Sequence, residues 1–170
     1  MKFFTHLGVI CLILSATKLS LAQDTIATAA GKASQGINVL RVAWQRQWSQ
    51  HWLVSDSGEL SAMHALSINR WSTGADSITA FAYSPVFIYH LHTAPLDYVK
   101  LGIGGAYLSD TQIKGRNLSS YFQFEDQVGV GWQWRKHDLS LVYMHYSNAG
   151  IKKPNQGIDM FLLSYAWRLD

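Results

Sequence analysis

The last two apolar runs of the chain, "LSLVYMHYSNAGIKKPNQGIDMFLLSYAW" from Leu139 to Trp167, decide how the rest is read. The connection "KPNQG" is a cluster of turn residues. Leu139 to Tyr146 is apolar on both faces of an extended chain. After the turn, Phe161, Leu163, Tyr165 and Trp167 share one face, while Ser164 and Ala166 lie on the other. Strands apolar on both faces are expected where lipid lies outside a sheet and packed side chains lie inside it.

The same signature, Val, Ile, Thr, Tyr, Phe and Trp between Gly, Asn, Asp, Ser and Pro, recurs upstream. It predicts eight strands over roughly 23–31, 36–50, 57–71, 77–92, 96–109, 118–135, 137–147 and 158–168. The breakers "GKASQG", "SDSGE", "STGADS", "TAPLD", "DTQIKGRN" and "RKHD" separate the earlier ones. The first segment, "QDTIATAAG", rests partly on the even strand number of outer-membrane barrels. Several segments exceed the usual ~5–6 residues of soluble strands and reach the ~9–11 that cross a bilayer when tilted. Trp48, Trp52, Trp71, Tyr89, Tyr98, Tyr107, Trp132, Trp134, Tyr165 and Trp167 sit near segment ends, where interfacial girdles belong.

The expected fold is therefore an all-β, eight-stranded antiparallel transmembrane β-barrel, with a secreted soluble barrel as the alternative. A mean hydropathy of zero suits either, because barrel strands carry one apolar and one polar face. The two-sided apolar segments and the lack of a disulfide framework favour the membrane. Against it, the chain ends "YAWRLD" rather than on an aromatic residue. Eight strands leave room only for side chains inside, which argues against a diffusion pore.

At the N-terminus, Lys2, the apolar run Leu7 to Thr17, and small residues Ser20 and Ala22 form a signal-peptide pattern. Residues 1–22 are expected to be removed, leaving 23–170 as one barrel domain. Cys11, the only cysteine, goes with them, so thiol redox chemistry, Cys-ligated zinc and disulfides drop out of the expectations. The basic count falls from 14 to 12 against 11 acids, and the resulting +1 charge gives no footprint for nucleic acid.

Most candidate chemistry has an ordinary explanation. "GIGG" (102–105) sits within a strand with no helix to follow, so it reads as small residues easing a curved wall. His90 and His92 share a face but lack a third ligand. Glu125 and Asp126 are adjacent and so point to opposite faces, one of them into a lumenal polar network.

His145 and Ser147 differ because residues i and i+2 of a strand face the same way, close enough for an imidazole to reach a serine oxygen. If the final hairpin pairs residue 145 with 159, Asp159 joins them on the outer, lipid-like face near the strand ends. Two readings stand at this point: polar filling of a barrel, or a nucleophile, base and carboxylate serving an acyl chain in the bilayer.

"HYSNAGIKKPNQGID" (145–159) resembles the C-terminal signature of the lipid A 3-O-deacylases of the PagL type, outer-membrane enzymes of Gram-negative bacteria. "VAWQRQW" (42–48), "FAYSPVFIY" (81–89), "LGIGGA" (101–106) and "NLSSYFQFEDQVGVG" (117–131) resemble it too, in the same order. The resemblance implies Ser147 as nucleophile, His145 as general base, Asp159 as orienting acid, and Asn148 and Gly150 as the oxyanion hole. Asp159 departs from a pattern that more often has Glu, and its shorter arm bears on the orienting contact. Also implied are an eight-stranded barrel in the outer membrane, lipid A (lipopolysaccharide) as substrate, and no metal or other cofactor. Lys152 and Lys153 are either contacts for the sugar phosphates or solvated loop residues. The sequence leaves the oligomeric state open, a homodimer included. The alternative from another class is a non-catalytic small barrel serving adhesion or membrane integrity.

Overall fold

The computed structural model describes residues 23–169, so the expected signal peptide with Cys11 lies outside the described residues. Eight long strands form the wall: β1 (Asp24–Ala33), β2 (Asn38–Gln47), β3 (Gly58–Ser72), β4 (Ser77–Leu91), β5 (Tyr98–Leu108), β6 (Phe122–Trp134), β7 (His137–Ser147) and β8 (Ile158–Arg168). Each pairs antiparallel with its chain neighbours, and β1 pairs with β8 from Thr25↔Arg168 to Ala33↔Met160. The sheet is thus closed, as lipid requires, because an open edge would leave backbone donors and acceptors unpaired. All eight predicted strands are present, β7 and β8 with the predicted bounds. The strand expected from 118 begins only at Phe122, because Gln123 Nε2 turns back to donate to the Leu118 and Ser120 carbonyls and holds the preceding residues as loop.

Strict alternation sorts the side chains. Outward-facing Leu40, Ile68, Ile103, Leu141, Phe161 and Leu163 are all more than half exposed, an apolar wall of the kind that faces acyl chains. Trp48 belongs to this surface and packs against Trp52, His64 and Phe87. Trp71 and Tyr98, expected in the girdles, instead point inward and are fully buried. Their positions share the parity of Asn69 and Lys100, both lumenal, so alternation overrides their place near strand ends.

The lumen is layered. Away from the chain termini it is apolar: Ile37, Trp71, Ile78, Leu108 and Ile158 are joined by Ile113 and Leu118 from the β5–β6 loop, which plug that end. Next to this layer lies a buried polar cluster. Arg41 forms a two-pronged pair with Glu125, at 2.9 and 3.2 Å, and also donates to Asn69. Glu125 further accepts from Ser84 (2.8 Å) and Tyr146 (2.5 Å), and the Tyr146 ring packs edge-on to Trp71. Toward the termini, Lys100 donates to Ser140 and Tyr98 to Asp138. Glu125 is therefore the lumenal carboxylate of its adjacent pair and Asp126 the outward one. Between strands, Gly104 lies where an added Cβ would come within 2.2 Å of the Tyr83 carbonyl, so the small residues of "GIGG" let the wall close tightly.

Glu125→Ala would strand the Arg41 guanidinium in the lumen, a change that costs about 3–5 kcal/mol. Arg46, whose contact with Asp24 is solvent-facing, is worth at most about 1 kcal/mol. In a temperature series of unboiled gels, Glu125→Ala should lose its folded band at a clearly lower temperature, whereas Arg46→Ala should match the parent.

Candidate active site

The register of the final hairpin brings the candidate residues together. Along β7–β8 the partners run His137↔Trp167 to Tyr146↔Ile158, with His145 directly opposite Asp159. Both are on the outer face, since their lumenal neighbours Met144, Tyr146, Ile158 and Met160 are buried. His145 Nδ1 and Asp159 Oδ1 are 2.7 Å apart, and the two side chains are 34% and 49% exposed, which leaves the pair reachable from the lipid side. Ser147 follows at i+2 on the same face. With Nδ1 donating to the carboxylate, Nε2 is left as the imidazole acceptor, the nitrogen a serine hydroxyl would use. Among the described residues Ser147 Oγ makes no hydrogen bond, so its link to His145 is not closed in this conformation.

Two further outer-face residues touch this row. Tyr143, two before His145, donates its hydroxyl to Asp159 Oδ1 at 2.6 Å. Asp126 on β6 is the Cα partner of His145 on the side away from Asp159. Neither figured among the residues expected to act; for Tyr143 the available signal was its i−2 position on the face already under discussion.

The loop 148–157 closes over the row. Asn148 is buried and acts as its hub: its side-chain amide donates to the Leu118 and Lys152 carbonyls, and its Oδ1 accepts from the Gly150 N–H at 2.9 Å. The Asn148 backbone N–H donates to Asn155 Oδ1. Ala149 and Gly150 are both left-handed, with φ of 52° and 80°. The two candidate oxyanion donors thus lie one and three residues after Ser147, with their N–H groups engaged within the loop. From the β5–β6 loop, Arg116 donates to the Gln156 and Gly157 carbonyls, and Ser119 to Pro154. These ties hold Gly157 (φ 55°) against the imidazole, where an added Cβ would lie 3.0 Å from His145 Cε1. Lys152 and Lys153 are exposed on the loop.

On the wall beside the row lie two shallow apolar grooves. One is lined by Val128, Val130, Leu141, Phe161 and Leu163, the other by Leu101 and Ile103, and Tyr143 borders both. At the opposite end of the barrel, His90 Nε2 lies 2.9 Å from the fully buried Ser61 Oγ, a lumenal contact out of reach of the wall. Among the described residues no three His, Cys, Asp or Glu side chains converge as metal ligands would.

The chain is similar along its length to characterised proteins. The lipid A deacylase PagL of Pseudomonas aeruginosa is 28% identical over 169 residues, covering 97% of this chain and 98% of that protein. The lipid A deacylase PagL of Bordetella bronchiseptica is 29% identical over 128 residues, 74% of this chain and 69% of that one. The crystal structure of the outer membrane enzyme PagL superposes with a TM-score of 0.79 at 28% identity, covering 84% of this chain and 98% of that chain. Residues 38–168, nearly the whole barrel, match the lipid A 3-O-deacylase (PagL) family, and the chain belongs to that family.

Proposed function

We propose that this protein is an outer-membrane lipid A 3-O-deacylase, a serine esterase that removes the ester-linked acyl chain at the 3 position of lipid A. The observation that carries this reading is the His145–Asp159 contact on the outer wall of a closed barrel, one i+2 step from Ser147. A site that faces lipid suits a substrate whose acyl chains are already in the bilayer, and the grooves bordered by Tyr143 offer them an apolar bed.

The reaction is acyl transfer. Asp159 holds Nδ1–H of His145, which keeps Nε2 free to take the Ser147 proton as Oγ attacks the ester carbonyl carbon. The carbonyl electron pair moves onto oxygen, where donors from Asn148 and Gly150 stabilise it; Gly150 N–H exchanges Asn148 Oδ1 for the oxyanion as the loop adjusts to substrate. The tetrahedral intermediate collapses with cleavage of the bond to the sugar oxygen, which leaves with the proton from His145. Water, deprotonated by the same nitrogen, then attacks the acyl-serine and releases a 3-hydroxy fatty acid. Lys152 and Lys153 are exposed on the loop beside the site, which leaves their point charges available to anionic sugar phosphates.

Cells carrying the parent protein should show lipid A lighter by one 3-hydroxyacyl group in mass spectra, and cells carrying Ser147→Ala should show unmodified lipid A. An identical acyl pattern in both would instead leave the non-catalytic barrel. Gly157→Ala combines a left-handed backbone with a methyl against the imidazole, strain of about 1–2 kcal/mol. It should reduce turnover on the order of tenfold while the gel shift on heating persists.

A further inference from the structure

Asp159 reaches His145 with a short arm, and a second group holds it there. Tyr143 and His145 are i and i+2 on β7, while Asp159 and Phe161 are i and i+2 on β8, and the register pairs His145 with Asp159 and Tyr143 with Phe161. The four make a two-by-two patch on the outer face. The Tyr143 ring lies against Phe161 with centroids 5.1 Å apart, which fixes where its hydroxyl points. That hydroxyl donates to Asp159 Oδ1 at 2.6 Å, the oxygen that also accepts from His145 Nδ1 at 2.7 Å. Asp159 is nearly half exposed and has few other restraints: its side chain accepts from Tyr143 and His145, while its backbone meets Ser34 Oγ. Without the phenol, its carboxylate is free to rotate toward the headgroup region, where water would satisfy it.

We infer that Tyr143 is a positioning residue for the deacylation, holding the Asp159 carboxylate in the rotamer that orients the His145 imidazole. The inference rests on the serine-esterase reading above. A hydrogen bond to a charged group is worth more than one between neutral groups, and the partial exposure of this one puts its effect toward the lower end of that range. Because the contact sets the geometry of the base, its loss falls on turnover. Tyr143 also borders the acyl grooves, and a role confined to lipid contact would fall on KM instead.

The test uses the folded, purified protein with hexa-acylated lipid A in detergent micelles. Tyr143→Phe keeps the ring and removes only the hydroxyl; it should lower kcat on the order of tenfold and change KM by less than about twofold. A glutamate at 159 extends the carboxylate by one methylene and relieves the need for the phenol, so in an Asp159→Glu background the same change should cost less than about twofold. The heat-dependent gel shift verifies folding of each variant. An unchanged kcat for Tyr143→Phe, an effect on KM alone, an equal loss of kcat in both backgrounds, or an inactive Asp159→Glu enzyme would each overturn the inference. Ser147→Ala assayed alongside separates the two levels: full activity there sinks the serine reading, whereas an inactive Ser147→Ala with an unaltered Tyr143→Phe sinks this inference alone.

Discussion

Closure of the sheet through β1–β8 pairing is the constraint on which everything else in this protein depends. A strand in lipid has no water to pair its backbone, so the wall can have no edge, and a wall with no edge gives every side chain one of two fates. Odd and even positions become lumen or lipid along the whole length of each strand. The lumen must then be filled by side chains alone, and the outer wall must tolerate acyl chains. Each polar group on that wall stands against the prevailing chemistry and invites a functional explanation.

The lumen shows how the filling is managed. Its apolar layer closes the end away from the termini with help from the β5–β6 loop, and next to it Glu125 is answered by Arg41, Ser84 and Tyr146. Such a cluster is costly to bury and costly to break, so it ties four different strands into one register. Tyr146 links this cluster to Trp71, while its neighbours His145 and Ser147 face the other way. One strand thereby carries the rigid interior on one face and the candidate chemistry on the other, which gives the site a stiff support.

The loop over the site is held from two directions. Asn148 organises it from within, and Arg116 and Ser119 hold it from the neighbouring loop, so Gly157 stays against the imidazole. The arrangement has the His145–Asp159 contact formed, while Ser147 Oγ makes no hydrogen bond among the described residues and the Gly150 N–H donates to Asn148 Oδ1. Apo sites often keep such contacts open, and the lipid-facing exposure of the pair is consistent with an acyl chain completing the site.

Much of this was legible in the residues. Period-two alternation and turn clusters located all eight strands, because a pleated strand writes its two environments directly into the order of side chains. The spacing of His145 and Ser147, and the breaker between β7 and β8, indicated a shared face and a testable register. What the linear pattern could not decide was which long-range partners answer which polar groups. That Glu125 meets Arg41 across the lumen, that Trp71 and Tyr98 turn inward, and that Gly157 abuts the imidazole depend on contacts between residues far apart in the chain. The sequence by itself determined the eight strands and nominated His145, Ser147 and Asp159 as candidates for one face; only the folded register decided that Tyr143 and His145 meet on one oxygen of Asp159, because that oxygen's position follows from register and ring packing rather than from spacing.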